Sequence, residues 1–288
     1  MDLTLRLLSF KPMARLFIRA QYRAAFGRPP YLDRPQDFNE KMQWLKLNWR
    51  EEKLSVLADK FAVRDVVAAQ AGPEILNELY GVYDRAEEIN FASLPEQFVL
   101  KATHGCGWNI ICPDKKALDW EEARRKLACW LRNNYYFIGR EWAYRDIKPR
   151  LICERYLHDR QGNPPIDYKI FCFNGVPRSI SVCLERFVDL HYATYDTDWN
   201  KMDFFYEGIK DPVTPVPRPP NLDAMLEIAR KLSVGLPFVR VDLYLVKGRI
   251  IFGELTFYPN NGIIKITPQR WLDQYGEWLH LPEALDLK

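Results

Sequence analysis

Two alternating segments in the last quarter of the chain constrain the fold more than any other feature. Residues 238–246 (FVRVDLYLV) and 250–257 (IIFGELTF) alternate apolar and polar side chains, and the segment KGR at 247–249 separates them. The apolar faces consist of Val239, Val241, Leu243 and Leu245 in the first segment and of Ile251, Leu255 and Phe257 in the second. Because successive side chains of a β-strand point to opposite faces, this pattern predicts a β-hairpin with one buried face.

The register of this hairpin decides which polar side chains meet. Pairing the two apolar faces requires an odd register, made by a three-residue turn or by an equivalent bulge. In that register Asp242 lies directly opposite Glu254, with Cβ atoms about 5 Å apart, and Arg240 lies beside them. A two-residue turn alone would put the two carboxylates on opposite faces of the hairpin.

Two carboxylates that face each other repel, so such a pair normally holds a cation between them. Hard oxygen ligands favour Mg²⁺, which keeps several waters and bridges to the phosphates of a substrate. The alternative is a surface hairpin in which Asp242 and Glu254 pair with Arg240 alone. We expect the metal site.

A second candidate site is the glycine-containing bend HGCGWN at 104–109, which follows the strand-like segment FVLKAT at 98–103. Two glycines let the backbone approach a ligand closely and turn its N–H groups toward phosphate oxygens. Lys101 at the end of the preceding strand adds a positive charge. Taken alone, the glycine pair is a weak signal that fits an ordinary hairpin turn better than a phosphate site, and neither a Walker A motif nor G-x-G-x-x-G is present.

Three further motifs have little specificity singly. The motif DKxxxR at 59–64 reads in isolation as a solvated helix start, and the apolar strand CERYL at 153–157, followed by DYK at 167–169, could form a hinge that offers backbone groups to an adenine. The motif D-x-D at 196–198 is found at the metal site of nucleotide-sugar glycosyltransferases, but the usual apolar strand before it is missing. The histidines have no zinc spacing, and no nucleophile motif is visible.

The remaining pattern predicts a chain in which strands and helices alternate, of class α/β or α+β. Asp37 is expected to cap a helix, with Glu40 as its capping-box partner. The predicted elements are helices within 1–50, at Asp59–Gln70, at 119–146, at 221–235 and from Pro268 onward, strands at Leu151–Leu157 and Tyr168–Phe173, and an extended proline-rich connector at 211–220.

Composition limits the classes of function. The chain has 288 residues, 48% hydrophobic and 27% charged, which is ordinary for a globular protein and excludes a disordered or fibrous chain. The net charge of +3 gives no case for nucleic acid. No C-x-x-C pair occurs, so we expect reduced, buried cysteines in a cytoplasmic protein. The six cysteines are Cys106, Cys112, Cys129, Cys153, Cys172 and Cys183.

The first 28 residues form a basic amphipathic segment that Pro12 interrupts. Arg6, Lys11, Arg15 and Arg19 break any apolar core, so the segment is not a signal peptide. It predicts a helix packed on the domain. Peripheral contact with the inner face of a membrane is the alternative.

Taken together and in order, these weak motifs resemble the ATP-grasp fold in the arrangement of the D-alanine–D-alanine ligases. Four segments are similar to the TupA-like branch of that fold, which is associated with teichuronopeptide and other surface-polysaccharide biosynthesis. They are FNEKMQWLK at 38–46, DKFAVRDVV at 59–67, LPEQFVLKATHGCGWN at 94–109 and DYKIFCFNG at 167–175. The match runs from about Phe38 to about Asn261.

The resemblance implies an α+β ATP-grasp fold with a helical N-terminal extension, in which two α+β subdomains clasp a nucleotide. The implied divisions are a helical region at 1–58, a glycine-loop subdomain at 59–150, a subdomain with the metal hairpin at 151–267, and a C-terminal helix at 268–288. The residues implied to bind ATP are Lys60, Lys101, His104, Gly105, Gly107, Asn109, Glu154, Tyr156, Leu157, Asp167 and Lys169. Among them, Glu154, Tyr156 and Leu157 would line the adenine hinge.

The resemblance also implies metal ligands and catalytic residues. Asp242 and Glu254 would bind Mg²⁺, while Arg240 and Lys101 would act in catalysis. The family type expects Glu-x-Asn, and this chain has Thr256 in place of the asparagine. Asn260 is the expected substitute ligand.

The implied activity is a Mg·ATP-dependent carboxylate–amine ligase. Transfer of the γ-phosphoryl group to a carboxylate makes an acyl phosphate that an amine can attack, which requires charge neutralisation but no protein nucleophile. The implied substrates are a small molecule or glycan with a carboxylate and an amino compound. The alternatives are a glycosyltransferase of surface-polysaccharide assembly and a nucleotide-binding protein without catalysis.

Overall fold

The structure, a computed structural model, describes residues 11–184 and 189–283. Its helices are α1 (Lys11–Phe26), α2 (Phe38–Asn48), α3 (Lys53–Ala58), α4 (Val63–Ala71), α5 (Trp120–Arg132), α6 (Tyr136–Gly139), α7 (Leu222–Ser233) and α8 (Arg270–Trp278). Its strands are β1 (Leu79–Tyr83), β2 (Phe98–Ala102), β3 (Asn109–Cys112), β4 (Leu151–Arg155), β5 (Asp167–Phe173), β6 (Val176–Leu184), β7 (His191–Tyr195), β8 (Phe205–Tyr206), β9 (Phe238–Val246), β10 (Arg249–Thr256) and β11 (Ile266–Thr267).

Within those described ranges, the helices are too short or too polar to cross a bilayer.

The smaller sheet has the order β1-β4-β2-β3, and every pairing in it is antiparallel. Along β2 the side chains alternate: Phe98 and Leu100 are buried in a core that α5 covers with Leu127. The intervening Val99 and Lys101 therefore point to the other face of the sheet, where a cleft lies. The alternation in this strand thus sets one wall of the cleft.

The larger sheet has the order β10-β9-β5-β6-β7 and is also antiparallel throughout, so the class is α+β. Helix α7 packs on one face of it. The N-terminal helical region belongs to the same core, because the ring of Phe38 in α2 lies 5.1 Å from the ring of Phe238 and 5.6 Å from that of Tyr275. Burial of these rings fixes α2 against the sheet.

The predicted hairpin forms, and its odd register comes from a bulge. The turn is the two residues Lys247 and Gly248, with φ of 51° and 84°, as in a tight type I′ connection. The register then shifts at Gly253, and Glu254 pairs with Asp242. A Cβ at Gly253 would lie 3.0 Å from the carbonyl oxygen of Asp242, so this close approach favours glycine.

One detail of the predicted hairpin faces is wrong. Before the bulge Phe252 pairs with Leu243, which places Phe252 on the core face in the position expected for Ile251. After the bulge Leu255 pairs with Val241 as expected. The extra residue reverses the alternation midway along β10.

Several helix boundaries also differ from the predictions. The helix predicted from Asp59 begins at Val63, because the Asp59 carboxylate accepts hydrogen bonds from Phe61 N and Ala62 N and holds a turn there. The helix predicted over 119–146 breaks after Arg132 into a short helix and irregular turns. Arg140 ends α6 in the left-handed conformation.

The helices predicted within residues 1–50 are α1 and α2, and residues 1–10 lie outside the described part. Pro12 does not break α1, since it occupies the first turn, where proline is tolerated. Asp37 caps α2 as predicted and accepts from Glu40 N at 2.9 Å. The Glu40 carboxylate does not close a capping box on Asp37; it accepts from Gln36 N at 3.0 Å.

Five of the described strands are not among the predicted ones: the two-residue strands β8 and β11 and the longer strands β1, β6 and β7. The last of these precedes the D-x-D motif directly, so a strand is present where it was thought missing. The last strand of the smaller sheet along the chain is β4, which ends at Arg155, and the larger sheet begins with β5. The boundary predicted between residues 150 and 151 therefore lies just before β4, so it separates β4 from the rest of its own sheet. All six cysteines lie within the described residues and none forms a disulfide; Cys106 and Cys129 are exposed, contrary to the prediction that all are buried.

Candidate functional site

A cleft of about 830 Å³ lies between the two sheets. Its apolar walls come from Val99 and Ile111 of the smaller sheet and from Leu184 and Tyr244 of the larger one. The predicted residues that line it are Lys101, Gly107, Asn109, Tyr156, Leu157 and Asp167. The combination of apolar walls and a few polar groups is typical of a site for a nucleotide-sized ligand.

Lys101 is held at the cleft by a buried ion-pair network. Its Nζ donates to Glu154 Oε2 at 2.7 Å, and Arg64 Nη1 donates to the other oxygen at 3.1 Å. Arg64 in turn donates to the carbonyl of Asn77 at 2.7 Å. Glu154 therefore positions Lys101 and neutralises part of its charge.

This network gives Glu154 a position different from the one expected of an adenine hinge. Its backbone pairs with Val99 on one side and with Leu79 on the other, because β4 is an inner strand of the smaller sheet. Backbone groups for a base must come from the segment just after β4, where Tyr156 and Leu157 line the cleft. The sequence did not indicate the role of Arg64, which lies 90 residues before its partner.

Asp242 lies at the centre of a buried charge cluster. Arg240 grips it with two hydrogen bonds of 2.6 Å, from Nε to Oδ1 and from Nη2 to Oδ2. Lys169 Nζ lies between two carboxylates, 2.9 Å from Asp242 Oδ2 and 2.6 Å from Asp167 Oδ2. Burial would lower the pKa of Lys169, but Asp242 and Asp167 raise it above its ordinary value, so this lysine stays charged.

Glu254 is the most open of these carboxylates, with 30% of its side chain exposed. Lys60 Nζ lies 3.3 Å from it and Arg240 Nη2 lies 3.8 Å away. Burial would raise the pKa of Glu254, but Lys60, Arg240 and Lys169 outweigh that effect and lower the pKa to about 2. Glu254 is therefore ionised at every physiological pH.

Thr256 occupies the position where the family type has asparagine. Its hydroxyl accepts from Arg240 Nη2 at 3.1 Å and donates to Glu254 Oε1 at 3.2 Å, so it orients both groups. Asn260, the expected substitute ligand, lies in an exposed turn with φ of 48°, after the end of β10. Its role as a ligand remains a prediction.

The donor set of the hairpin fits Mg²⁺. In residues 11–184 and 189–283 no three His, Cys, Asp or Glu side chains converge as a metal cage. Mg²⁺ does not need one, because it binds through one or two carboxylates together with waters and substrate phosphates. Asp242 and Glu254, paired across the hairpin, are the residues that would hold it.

The glycine bend is tied to Lys60. Lys60 Nζ donates to the carbonyl of Gly105 at 2.8 Å, and Lys60 N donates to the carbonyl of Thr103 at 3.1 Å. A Cβ at Gly105 would lie 2.6 Å from the ring of Trp108, whereas Gly107 has open space around it and φ of 72°. The bend and Lys60 therefore form one unit at the end of the cleft nearest Glu254.

His104 does not point into the cleft. It is buried in the smaller subdomain, with Nε2 at 3.0 Å from the carbonyl oxygen of Trp130 and its ring against Trp108. Contact with a nucleotide would require this buried ring to move. The structure thus gives His104 a packing position, in contrast to its expected role in binding.

The competing D-x-D motif is folded on itself. Asp196 Oδ1 accepts from the backbone N–H groups of Asp198 and Asn200 at 3.0 and 2.8 Å. Its other oxygen accepts from the Asn200 side chain at 2.9 Å. This carboxylate stabilises a turn, which is a common role for aspartate.

This site is a cleft between two lobes, with lysines, a glycine bend and the carboxylates of a hairpin at one end. Such an arrangement is characteristic of ATP-grasp proteins. The chain belongs to the TupA-like ATP-grasp family, whose model matches residues 40–280. The predicted family and fold class are thereby confirmed. No curated protein matches the chain.

Among solved structures, similar folds include the ATP-grasp ligase PsnB complexed with minimal precursor, at 11% identity over 73% of this chain and 54% of that one (TM-score 0.40). A D-alanine–D-alanine ligase from Bacillus anthracis complexed with ATP is 13% identical over 77% and 62% (TM-score 0.42). An L-amino acid ligase from Bacillus licheniformis is 15% identical over 90% and 55% (TM-score 0.45). The chain thus spans about half to three-fifths of the length of these proteins.

Proposed function

We propose that this protein is a Mg·ATP-dependent carboxylate–amine ligase. The observation that carries the proposal is the convergence of cations at one end of the cleft. In the described part of the chain, Lys60, Lys169 and Arg240 contact the carboxylates of the hairpin. Lys101 lines the neighbouring cleft, where it pairs with Glu154. Such a cluster suits the charge of a nucleoside triphosphate and of a phosphoryl group in transfer.

The residues act by binding and orientation. Lys60 and Lys101 would contact the phosphates, while the walls of the cleft hold the base. A bound Mg²⁺ would neutralise phosphate charge. Nε and Nη2 of Arg240 both donate to Asp242, and this pair of hydrogen bonds fixes the plane of the guanidinium group. The position of the remaining nitrogen, Nη1, is thereby fixed as well.

The reaction proceeds in two transfers. An oxygen of the substrate carboxylate attacks the γ-phosphorus and ADP leaves, which gives an acyl phosphate. The amine then attacks the acyl carbon, the C–O bond to phosphate breaks, and an amide and inorganic phosphate form. The positive charge of Arg240 would stabilise the negative charge that develops in these steps.

The substrates we propose are a sugar acid or surface-polysaccharide precursor as the carboxylate and an amino compound as its partner. The support for this assignment is the resemblance of four segments to the TupA-like branch, which is associated with surface-polysaccharide biosynthesis. We also propose that the protein acts in the cytoplasm and touches the inner face of the membrane through α1. The outer face of α1 exposes the basic residues Lys11, Arg19 and Arg23 beside Met13 and Leu16.

The test is the fate of labelled oxygen. With an ¹⁸O-labelled carboxylate substrate, each turnover should release ADP and move one label into phosphate, because the carboxylate oxygen is retained by the phosphoryl group. Label that stays wholly in the product would refute the ligase. Arg240→Ala should lower kcat far more than it raises KM, since its charge partner develops only along the reaction.

Two alternatives have distinct outcomes in the same assay. A glycosyltransferase would transfer sugar from a nucleotide sugar without ATP, although the closed turn at Asp196 does not favour it. A nucleotide-binding protein without catalysis would bind ATP and release no ADP. The one observation that favours the latter is Thr256 in place of the family asparagine.

A further inference from the structure

Asp59, in the turn between α3 and α4, is buried, although its motif reads in isolation as a solvated helix start. Only 4% of the residue is exposed. Its Oδ1 accepts hydrogen bonds from Phe61 N at 2.8 Å and from Ala62 N at 3.2 Å. Its Oδ2 accepts from Arg150 Nη2 at 3.0 Å. Because burial of a carboxylate is costly without such partners, Asp59 ties this turn to Arg150.

Arg150, which directly precedes β4, contacts the residues on both sides of Lys60. Its guanidinium group pairs with Asp59 and lies over the ring of Phe61, with Cζ 4.5 Å from the ring centroid. Both contacts suit arginine, because its planar group donates in fixed directions and stacks on aromatic rings. One side chain therefore holds the backbone of Lys60 from both of its ends.

The backbone of Arg150 connects the same turn to the glycine bend. Its carbonyl oxygen accepts from Thr103 N at 2.9 Å, and the carbonyl oxygen of Thr103 accepts from Lys60 N at 3.1 Å. Thr103 directly precedes the bend at 104–109. Through its side chain and its main chain, Arg150 thus fixes the position of Lys60 relative to the start of the bend.

These contacts determine where the ammonium group of Lys60 lies. Its Nζ donates to the carbonyl oxygen of Gly105 at 2.8 Å and lies 3.3 Å from Glu254 Oε2. A lysine side chain has a flexible four-carbon stem, so its charge is placed accurately only when its backbone is fixed and its surroundings are packed. The side chain of Lys60 is only 15% exposed. The turn and its partners therefore place one cation between the bend and the hairpin.

We propose that Asp59 and Arg150 are positioning residues for Lys60. The inference rests on the proposed function, in which Lys60 contacts the phosphates of ATP. The pair would act without touching the nucleotide, by holding the Lys60 backbone against the bend. A cation that is already ordered costs less conformational entropy when the phosphates bind, so loss of the pair should weaken the contribution of Lys60 to affinity.

Two variants remove the pair, and a third is the matched control. Asp59→Asn keeps an oxygen for the two backbone N–H groups of the turn and removes the charge that pairs with Arg150. Arg150→Met removes the guanidinium group and keeps the backbone carbonyl. Lys148→Gln is the control, because it removes a positive charge two residues away and breaks only an exposed pair with Asp84.

The readout is the gain in affinity from adenosine to ATP, measured by calorimetric titration of the full-length protein with Mg²⁺ present. Asp59→Asn and Arg150→Met should each weaken ATP binding at least about fivefold, or about 1 kcal/mol. The affinity for adenosine should stay within about twofold, which also shows that the variants fold, and Lys148→Gln should change neither affinity. If Arg150→Met does not fold, Asp59→Asn decides the test, because it leaves no buried carboxylate without a cation.

A second comparison shows whether the pair acts through Lys60. Lys60→Met should itself weaken ATP binding at least about tenfold, and adding Asp59→Asn to it should cause no further loss. A purely structural role would produce the same loss in both backgrounds. The proposal is overturned, and the ligase function left standing, if ATP affinity survives in Asp59→Asn, if adenosine affinity falls equally, or if the loss persists beside Lys60→Met. A wild type that binds no ATP would overturn the ligase function as well.

Discussion

Replacing Glu254 by glutamine tests the hairpin directly, because it removes one negative charge and keeps the shape. The carboxylate lies 3.3 Å from Lys60 Nζ and 3.8 Å from Arg240 Nη2. At an effective dielectric constant of about 20, each attraction amounts to roughly 4–5 kcal/mol, but desolvation of the ions offsets most of it. Because the carboxylate is partly exposed, we expect a net loss of about 1–2 kcal/mol in unfolding free energy.

That loss predicts a melting temperature lower by only a few degrees, since about 1 kcal/mol corresponds to about 2–4 °C in a domain of this size. The effect on ligands should be larger and should depend on the metal. Glu254→Gln should bind Mg·ATP at least tenfold more weakly, or about 1.4 kcal/mol. It should bind metal-free ATP as well as or better than the wild type, because Lys60 is released toward the phosphates and a repelling charge is gone.

Calorimetric titration of ATP with Mg²⁺ and with a chelator measures both affinities. Glu207→Gln is the control, because Glu207 is exposed and pairs only at 3.5 Å with exposed Lys265. The reasoning is refuted if Glu254→Gln binds Mg·ATP like the wild type, or if it loses metal-free ATP binding to the same extent. The first result would leave the paired carboxylates a purely structural role.

Four further predictions concern separate parts of the molecule. Lys101→Met should weaken ATP binding at least tenfold in calorimetry, because it removes a cation that lines the cleft. The pKa of Glu254 is lowered from 4.5 to about 2 in the folded state, so on acidification the unfolded chain takes up this proton before the folded chain does. The free energy of unfolding should therefore fall as the pH drops from about 4.5 to about 2. Denaturant titration should show a smaller fall in Glu254→Gln. Asp196→Asn should leave ATP turnover intact, since that carboxylate only holds a turn; a large loss of turnover would reopen the glycosyltransferase. Co-sedimentation with anionic vesicles should decline as salt rises and as Arg19 and Arg23 are replaced by glutamate, whereas no binding at low salt would leave α1 a packing element.

The meeting of Asp242 and Glu254 could be predicted because two apolar faces had to pair. The alternation fixed an odd register, but it did not determine how that register is made. Two glycines indicate how the register is made: Gly248 lies in the two-residue turn, and Gly253 lies at the bulge. A glycine in the interior of a strand often marks a bulge. The same bulge explains the misplaced Phe252, because a period-two reading fails beyond an extra residue.

Other features depend on contacts that no local pattern contains. Glu154 pairs with Lys101 and Arg64, which lie 53 and 90 residues before it in the sequence. Its burial between two cations could therefore not be inferred from the sequence of its own strand. His104 belongs to a glycine bend that is correctly recognised, yet its ring packs inward against Trp108. Local patterns identified the segments, whereas tertiary packing decided which side chains of each segment face the cleft.

The ion pairs of the hairpin determine how ligands of opposite charge influence one another. Asp242 and Glu254 are already matched by Arg240, Lys169 and Lys60. A bound polyphosphate would have to draw those cations away from the carboxylates, and a bound divalent ion would have to compete with the cations for them. Each ligand would therefore break ion pairs that the other ligand would otherwise have to break. Because such coupling is reciprocal, each ligand would raise the affinity of the site for the other by the same factor. If the site binds nucleotide and metal as proposed, this balance of charge predicts a far stronger response to the two ligands together than to either one alone.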